Sequence, residues 1–269
     1  MKKIGLCLLL FSFVACQSEK KTTNAADSTD LANGADPYSF TYDSVKVYAK
    51  KPVSRNPATT DTTKAVIVYP QFKDQKTNDF VLQKTLATAL PDKQYKSYQA
   101  YANGFIQDYE TFIAREKEYG QTWFLEIKNK VAAQKKNYLS VLSTFVSYEG
   151  GAHPNTMLSY LNYDPQTHKE ILLDSLIQPG SMSKLTAEAE KIFRKNEKLT
   201  PTANLGDNYF FKDNKFSLNN NFTVTEEGIK FLYNPYEIKA YVFGITELTV
   251  PFSTLKEIAR PHSLLSPDH

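Results

Sequence analysis

Residues 121–149 read QTWFLEIKNKVAAQKKNYLSVLSTFVSYE. In the first part Trp123, Leu125 and Ile127 alternate with Glu126 and Lys128, a period of two that puts apolar side chains on one face of a strand and charged ones on the other. NYLSVLSTFVSYE, residues 137–149, keeps the same period. The two segments therefore predict a long antiparallel pair with one face on a core.

Upstream, YSFTYDSVKVYAKK (38–51) and KAVIVYPQF (64–72) carry apolar residues at about every second position and predict two strands, joined by the polar SRNPATTDTT. The period then changes. Phe80, Leu82, Leu86 and Leu90, followed by Tyr98, Tyr101, Phe105, Tyr109 and Phe112, recur mostly at intervals of three and four, as on amphipathic helices. Pro91 separates a first helix, about Asn78 to Leu90, from a second, about Gln94 to Glu118, and Gly120 ends the pattern. At this spacing the aromatic stripe faces a core and is not a ligand platform.

Downstream, TMLSYLNYD (156–164) and EILLDSLI (170–177) flank PQTHK, a turn. SMSKLTAEAEKIFRKNEK (181–198) has helical spacing through Leu185, Ala189, Ile192 and Phe193, with a Ser cap. NNFTVTEEGIKFLY (220–233) predicts a hairpin with Gly228 closing the turn. The last strand stops at Pro251, and a short helix follows from Ser253 to Ile258. Strands and helices mix without regular alternation, so the fold class is α+β with mostly antiparallel sheet, helices in the first half and one central helix in the second. There is no internal repeat of fixed period. The 17 Tyr and 17 Phe against a single Trp agree with much β-structure.

The chain starts MKKIGLCLLLFSFVAC, with basic Lys2 and Lys3, an apolar run from Ile4 to Val14 and a small residue before Cys16. This is a secretion leader, too short in its apolar part for a permanent span. FVAC resembles a lipoprotein lipobox, with Phe13 in place of the usual Leu, so residues 1–16 are read as a lipoprotein signal peptide and Cys16 as the lipidated residue. Acyl chains there anchor the protein stably to a membrane. Residues 17–36, QSEKKTTNAADSTDLANGAD, form a flexible tether. Gln17 is not the Asp that retains some lipoproteins at an inner membrane, so the expected location is the bacterial envelope, at the outer membrane. Cys7 leaves with the leader and Cys16 is capped, which excludes disulfides, thiolate catalysis and Cys-ligated metal. Losing Lys2 and Lys3 lowers the net charge from +3 to +1, and so near neutral a surface gives no argument for a nucleic-acid partner.

Histidines occur at 153, 168, 262 and 269. None are spaced as zinc ligands on a helix, and no nucleophile-elbow, P-loop or dinucleotide motif is present, so no metal or cofactor is expected. The richest constellation is YEGGAHPN, 148–155. Gly150 and Gly151 permit positive φ, and Pro154 pushes His153 toward an extended conformation. The result is a rigid connection that displays Glu149, His153 and Asn155, flanked by Tyr148 and Tyr160. Three readings stand: a turn whose histidine bonds nearby backbone, a recognition surface for protein or glycan, or a general acid/base pair of His153 with Glu149. The second constellation is YNPYEIKAY, 233–241, where Tyr233, Tyr236 and Tyr241 surround Glu237. It is either a corner packed by tyrosines or a binding edge near the first motif.

These two motifs carry a resemblance. YEGGAHPNT, NYDPQTHKEILLDSLI and FTVTEEGIKFLYNPYEIKAYVFGITELTVPFSTL resemble the paired extracytoplasmic domains of unknown function found in RsiV-like anti-sigma factors and beside the catalytic domain of PdaC-like peptidoglycan deacetylases. The similarity runs from about Tyr38 to Ile258. It implies two α+β subdomains, 37–165 with the first helices and 166–260 with the later strands, and a tail 261–269. In RsiV-like proteins the region is a receptor for lysozyme. No transmembrane helix, cytoplasmic sigma-binding segment or deacetylase motif is read here. The resemblance therefore implies a non-catalytic binding or sensor module whose partner is a lysozyme-like protein or peptidoglycan. The other readings are an envelope glycan hydrolase using His153 and a carboxylate, and an envelope scaffold. His168 stands where the resemblance implies a turn glycine, a change expected to be neutral.

Overall fold

The structure, a computed structural model, describes residues 39–266 except 51, 52, 57 and 58. The leader, Cys16, the tether and His269 lie outside the described residues. In chain order the strands are β1 (Phe40–Tyr48), β2 (Val53–Asn56), β3 (Thr59–Asp61), β4 (Lys64–Phe72), β5 (Phe124–Lys135), β6 (Tyr138–Tyr148), β7 (Asn155–Asp164), β8 (Lys169–Glu170), β9 (Phe222–Val224), β10 (Gly228–Tyr233) and β11 (Thr246–Pro251). The helices are α1 (Gln75–Leu86), α2 (Tyr98–Arg115), α3 (Leu173–Leu176), α4 (Met182–Asn196) and α5 (Phe252–Leu255).

The pair read from residues 121–149 is β5 and β6, antiparallel from Phe124↔Tyr148 to Lys135↔Tyr138, with a register shift between Val131 and Ala133. It forms the middle of a six-stranded sheet in the order β1-β4-β5-β6-β7-β8. All neighbours are antiparallel except β4 and β5, which run parallel from Lys64↔Phe124 to Val68↔Lys128. A parallel return needs a long crossover, and α1 and α2 supply it.

Both helices cover one face of this sheet. Tyr101, Phe105 and Tyr109 of α2 are buried as expected, with Trp123, Leu125 and Ile127 beneath them. The ends of the helices differ from the sequence reading. Asp74 caps α1, its Oδ2 accepting from the Thr77 backbone N–H at 2.9 Å and the Thr77 hydroxyl at 2.7 Å, so the helix starts at Gln75. It ends at Leu86, and Leu90 lies exposed beyond it. The buried stripe of α1 is Thr77, Val81 and Thr85, one position away from Phe80, Leu82 and Leu86. α2 starts at Tyr98 because Ser97 caps it, its Oγ accepting from the Ala100 N–H at 3.1 Å, while Tyr95 turns back to stack on Tyr101.

The second half has its own sheet, in the order β11-β10-β9, with α4 against β11. Leu185 and Phe193 of α4, Phe222, Ile229, Phe231 and Val250 lie in one core cluster. Gly228 opens β10 where a Cβ would lie 2.1 Å from the Val250 carbonyl oxygen, so only glycine fits. Ser181 stands at the start of α4 without a side-chain capping bond, and α5 runs Phe252–Leu255 rather than Ser253–Ile258. The expected tail is also revised: Leu264 and Leu265 are buried in the same cluster, and Ser263 Oγ donates to the Leu176 carbonyl at 3.3 Å.

A buried polar network locks the two halves. The Tyr138 hydroxyl donates to Asn162 Oδ1 at 2.8 Å, accepts from the Val224 N–H at 2.8 Å and lies 3.0 Å from Thr223 Oγ1. Ser140 Oγ lies 2.8 Å from Thr223 Oγ1, and Asn162 Nδ2 donates to the Phe222 carbonyl at 2.7 Å. A fully satisfied network of this kind fixes one docking geometry, because any shift strands a buried polar group. The described residues accordingly all fall in one compact unit.

Candidate functional site

The YEGGAHPN segment is the connection from β6 to β7, closed by Ser147↔Asn155. Gly150 and Gly151 have φ of +101° and +110°, which L side chains rarely adopt. At Gly150 a Cβ would also lie 2.8 Å from the Tyr119 hydroxyl. Aromatic side chains clamp the turn from one side. Trp123 Nε1–H donates to the Tyr119 hydroxyl at 3.0 Å, Tyr119 donates to Gln121 Oε1 at 3.3 Å, and Tyr148 donates to the Gly151 carbonyl at 3.0 Å.

His153 emerges from this turn exposed. Its Nδ1 lies 2.9 Å from the Pro154 carbonyl, so Nδ1 carries the proton in that bond, and Nε2 is left to accept from the Tyr236 hydroxyl at 3.5 Å. The ring stacks on Tyr241 at 4.0 Å and 15°, and Tyr236 lies 5.4 Å from Tyr241. The structure thus brings the two sequence motifs together: His153 from the first, Tyr236 and Tyr241 from the second.

Other predicted residues play different parts. Tyr233 is a correction. It is 1% exposed, and its hydroxyl donates to the Ser217 carbonyl at 2.8 Å, so it belongs to the core. Glu237 holds its own loop, accepting from the Asn234 N–H at 2.8 Å and from Asn219 Nδ2 at 2.7 Å. Asn155 is exposed at the start of β7. Glu149 is turned toward α2. Burial of its carboxyl, and second the Asp108 charge, raise its pKa above 4.5, and its own charge acts on Tyr101. Among the described residues no hydrogen bond joins Glu149 to His153, and no group of three His, Cys, Asp or Glu is placed to hold a metal. The geometry therefore does not assemble the acid/base pair weighed from the sequence.

The sequence reading missed the tip of the second motif. Lys239 Nζ is held by Glu197 at 2.8 Å, and the Phe210 N–H donates to the Ile238 carbonyl at 2.9 Å, so the base of the loop is pinned. Burial first, and the Glu197 carboxylate second, push Tyr209 on the same Glu197 up to about 12. Past Lys239 the chain makes a 3-10 turn, Tyr241–Phe243, and projects Val242 (83% exposed), Phe243 (63%) and Ile245 (40%) beside Tyr236 (58%). The readable signal was Gly244 interrupting an apolar run. Chemically, this face offers flat rings and aliphatic groups with a few hydroxyl, imidazole and amide groups around them.

In comparison with known proteins, the two sides of this face fall in two different matches. Residues 57–156 match the family model "Deacetylase PdaC", and residues 174–253 match "Protein of unknown function (DUF3298)". The peptidoglycan-N-acetylmuramic acid deacetylase PdaC of Bacillus subtilis (strain 168) is 23% identical over 195 residues, 71% of this chain. The match spans only 38% of that enzyme's length. A crystal structure of a DUF3298 family protein from Pseudomonas aeruginosa PAO1 superposes with a TM-score of 0.67 at 20% identity, covering 86% of this chain and 98% of that one. A second, from Bacteroides fragilis NCTC 9343, gives 0.64 at 22% identity, with 85% and 97% covered. The chain thus pairs a PdaC-like region with a DUF3298-like region in the α+β fold of those solved structures, and the stack of His153 on Tyr241 bridges the two.

Proposed function

We propose that this chain is a non-catalytic recognition module of the bacterial cell envelope, lipid-anchored through Cys16 at the outer membrane, and that the His153 face takes a protein partner of the lysozyme-like kind. The observation that carries the reading is the pinned loop that holds Tyr236, Val242, Phe243 and Ile245 out in solvent beside His153. Large exposed apolar side chains on an anchored loop are what interface centres use, with polar groups at the rim. The name of the PdaC relative, an enzyme of peptidoglycan, supports the envelope setting. The family resemblance supports the choice of a lysozyme-like partner.

Calorimetry of the purified chain with lysozyme, and separately with peptidoglycan fragments, at two salt concentrations tests this. Saturable heat with lysozyme, lost in Phe243→Ser, is expected. Heat with the fragments alone would replace the protein partner by glycan, and no heat with either would remove the binding role. Protease shaving of intact cells tests the location: a tether left uncut until lysis excludes display at the cell surface.

A further inference from the structure

We propose that a cavity lined by Phe72, Asp74, Thr77, Leu139, Gln166 and His168 is a binding site for a single sugar ring. It stands independently of the reading of the His153 face. The cavity lies where the end of β4, the start of α1, the start of β6 and the β7–β8 turn meet. From the His153 turn it is the whole length of β7 away, about 30 Å at about 3.3 Å per residue.

Its walls are divided by chemistry. Phe72 and Leu139, both buried, give it an apolar floor with Pro165 beside them, while Asp74, Gln134, Gln166 and His168 form a polar rim above the buried Thr77. The rim is held in place. Asp164 Oδ1 accepts from the Gln166 N–H at 2.8 Å, and Asp164 Oδ2 accepts from the Thr167 hydroxyl at 2.7 Å. His168 closes the turn at φ +56°, which aims its Nδ1 to within 3.6 Å of Asp74 Oδ2 and 3.4 Å of the Tyr163 hydroxyl. Among the described residues its Nε2 and the Gln166 side-chain amide have no protein partner.

Three classes of ligand can be compared. An anion would meet the Asp74 carboxylate. A cation would compete with the Thr77 N–H, the Thr77 hydroxyl and His168, all of which already approach Asp74 Oδ2. A neutral ring with an apolar face and a hydroxylated edge matches both floor and rim, since amide and imidazole groups donate and accept in turn. The volume, about 220 Å³, lies below the roughly 300–1,000 Å³ of sites for drug-sized ligands, so a single ring suits it better than a longer glycan.

The test is a nuclear magnetic resonance titration of the full chain with N-acetylglucosamine, and in parallel with L-lysine. Saturable shifts at His168 and Gln166 are expected, with a Kd on the order of 1 mM. Gln166→Ala and His168→Asn should each weaken binding tenfold or more; asparagine tolerates the left-handed turn, so the second substitution keeps the loop. Absence of saturable shifts, binding that survives both substitutions, or tighter binding of L-lysine would each overturn the proposal.

Discussion

The His153 imidazole lies flat against the Tyr241 ring, with centroids 4.0 Å apart and planes 15° apart, and this contact joins a turn of the first half to a loop of the second. A stacked pair of rings contributes about 0.5–1.5 kcal/mol beyond its buried area. In a double-mutant cycle, His153→Ala and Tyr241→Ala should therefore show a coupling of about that size in urea unfolding. Strictly additive losses would mean that the rings touch without holding the halves together.

Tyr138→Phe should be far more damaging than removing one exposed hydroxyl. The phenol oxygen meets Asn162, Thr223 and the Val224 N–H, all buried, and phenylalanine would leave those groups short of partners. We expect a loss of about 1–3 kcal/mol. Urea midpoints measure it, and an unchanged midpoint would mean that the network relaxes around the missing oxygen.

Much of this architecture could be read from residue spacing, because the pattern is dictated by which face is wet. Trp123, Leu125 and Ile127 are on the core side of the strand their alternation predicts, and Tyr101, Phe105 and Tyr109 are on the buried side of α2. What spacing could not supply was phase at the helix ends and the fate of neighbouring tyrosines. Tyr233 and Tyr236 are chemically alike. The first ends β10 pointing into the core, while the turn at Asn234 and Pro235 swings the second to φ +66° and out into solvent. Leu264 and Leu265 fall in the tail beyond the reach of the family resemblance, yet the core takes them in. The parallel contact of β4 with β5 depends on a crossover whose geometry no local pattern encodes.

The edge of β7 that no strand pairs at Leu158 and Tyr160 illustrates a device invisible to such patterns. Asn234 Oδ1 accepts from the Leu158 N–H at 2.7 Å, and its Nδ2 donates to the Leu158 carbonyl at 2.9 Å. Asn221 Oδ1 accepts from the Tyr160 N–H at 2.8 Å, and its Nδ2 donates to the Leu158 carbonyl at 2.8 Å. Two side-chain amides thus imitate the strand that is missing there. The double variant Asn221→Ala, Asn234→Ala should expose an unpaired edge and promote self-association. Light scattering at rising concentration measures this, and a variant as monodisperse as the parent would show that the amides matter only for stability.

Asp74 gives a pH dependence whose sign can be worked out. Partial desolvation pushes its pKa up, but the Thr77 hydroxyl, the Thr77 N–H and the His168 charge outweigh that and hold it below 3.8. A carboxyl depressed in the folded state stabilises above its ordinary value, and that contribution disappears as pH falls through the folded value. At pH 7, Asp74→Ala should cost about 1 kcal/mol through the lost cap, and Asp74→Asn, itself a good cap, much less. As the pH drops below 3.8 the parent should converge on Asp74→Asn, because the protonated carboxyl no longer attracts the N–H groups or His168. Thermal melts of the parent and both variants across this range follow the difference. A gap between parent and Asp74→Asn that stays constant into acid would mean that the charge on Asp74 does not contribute to holding α1 and the His168 turn.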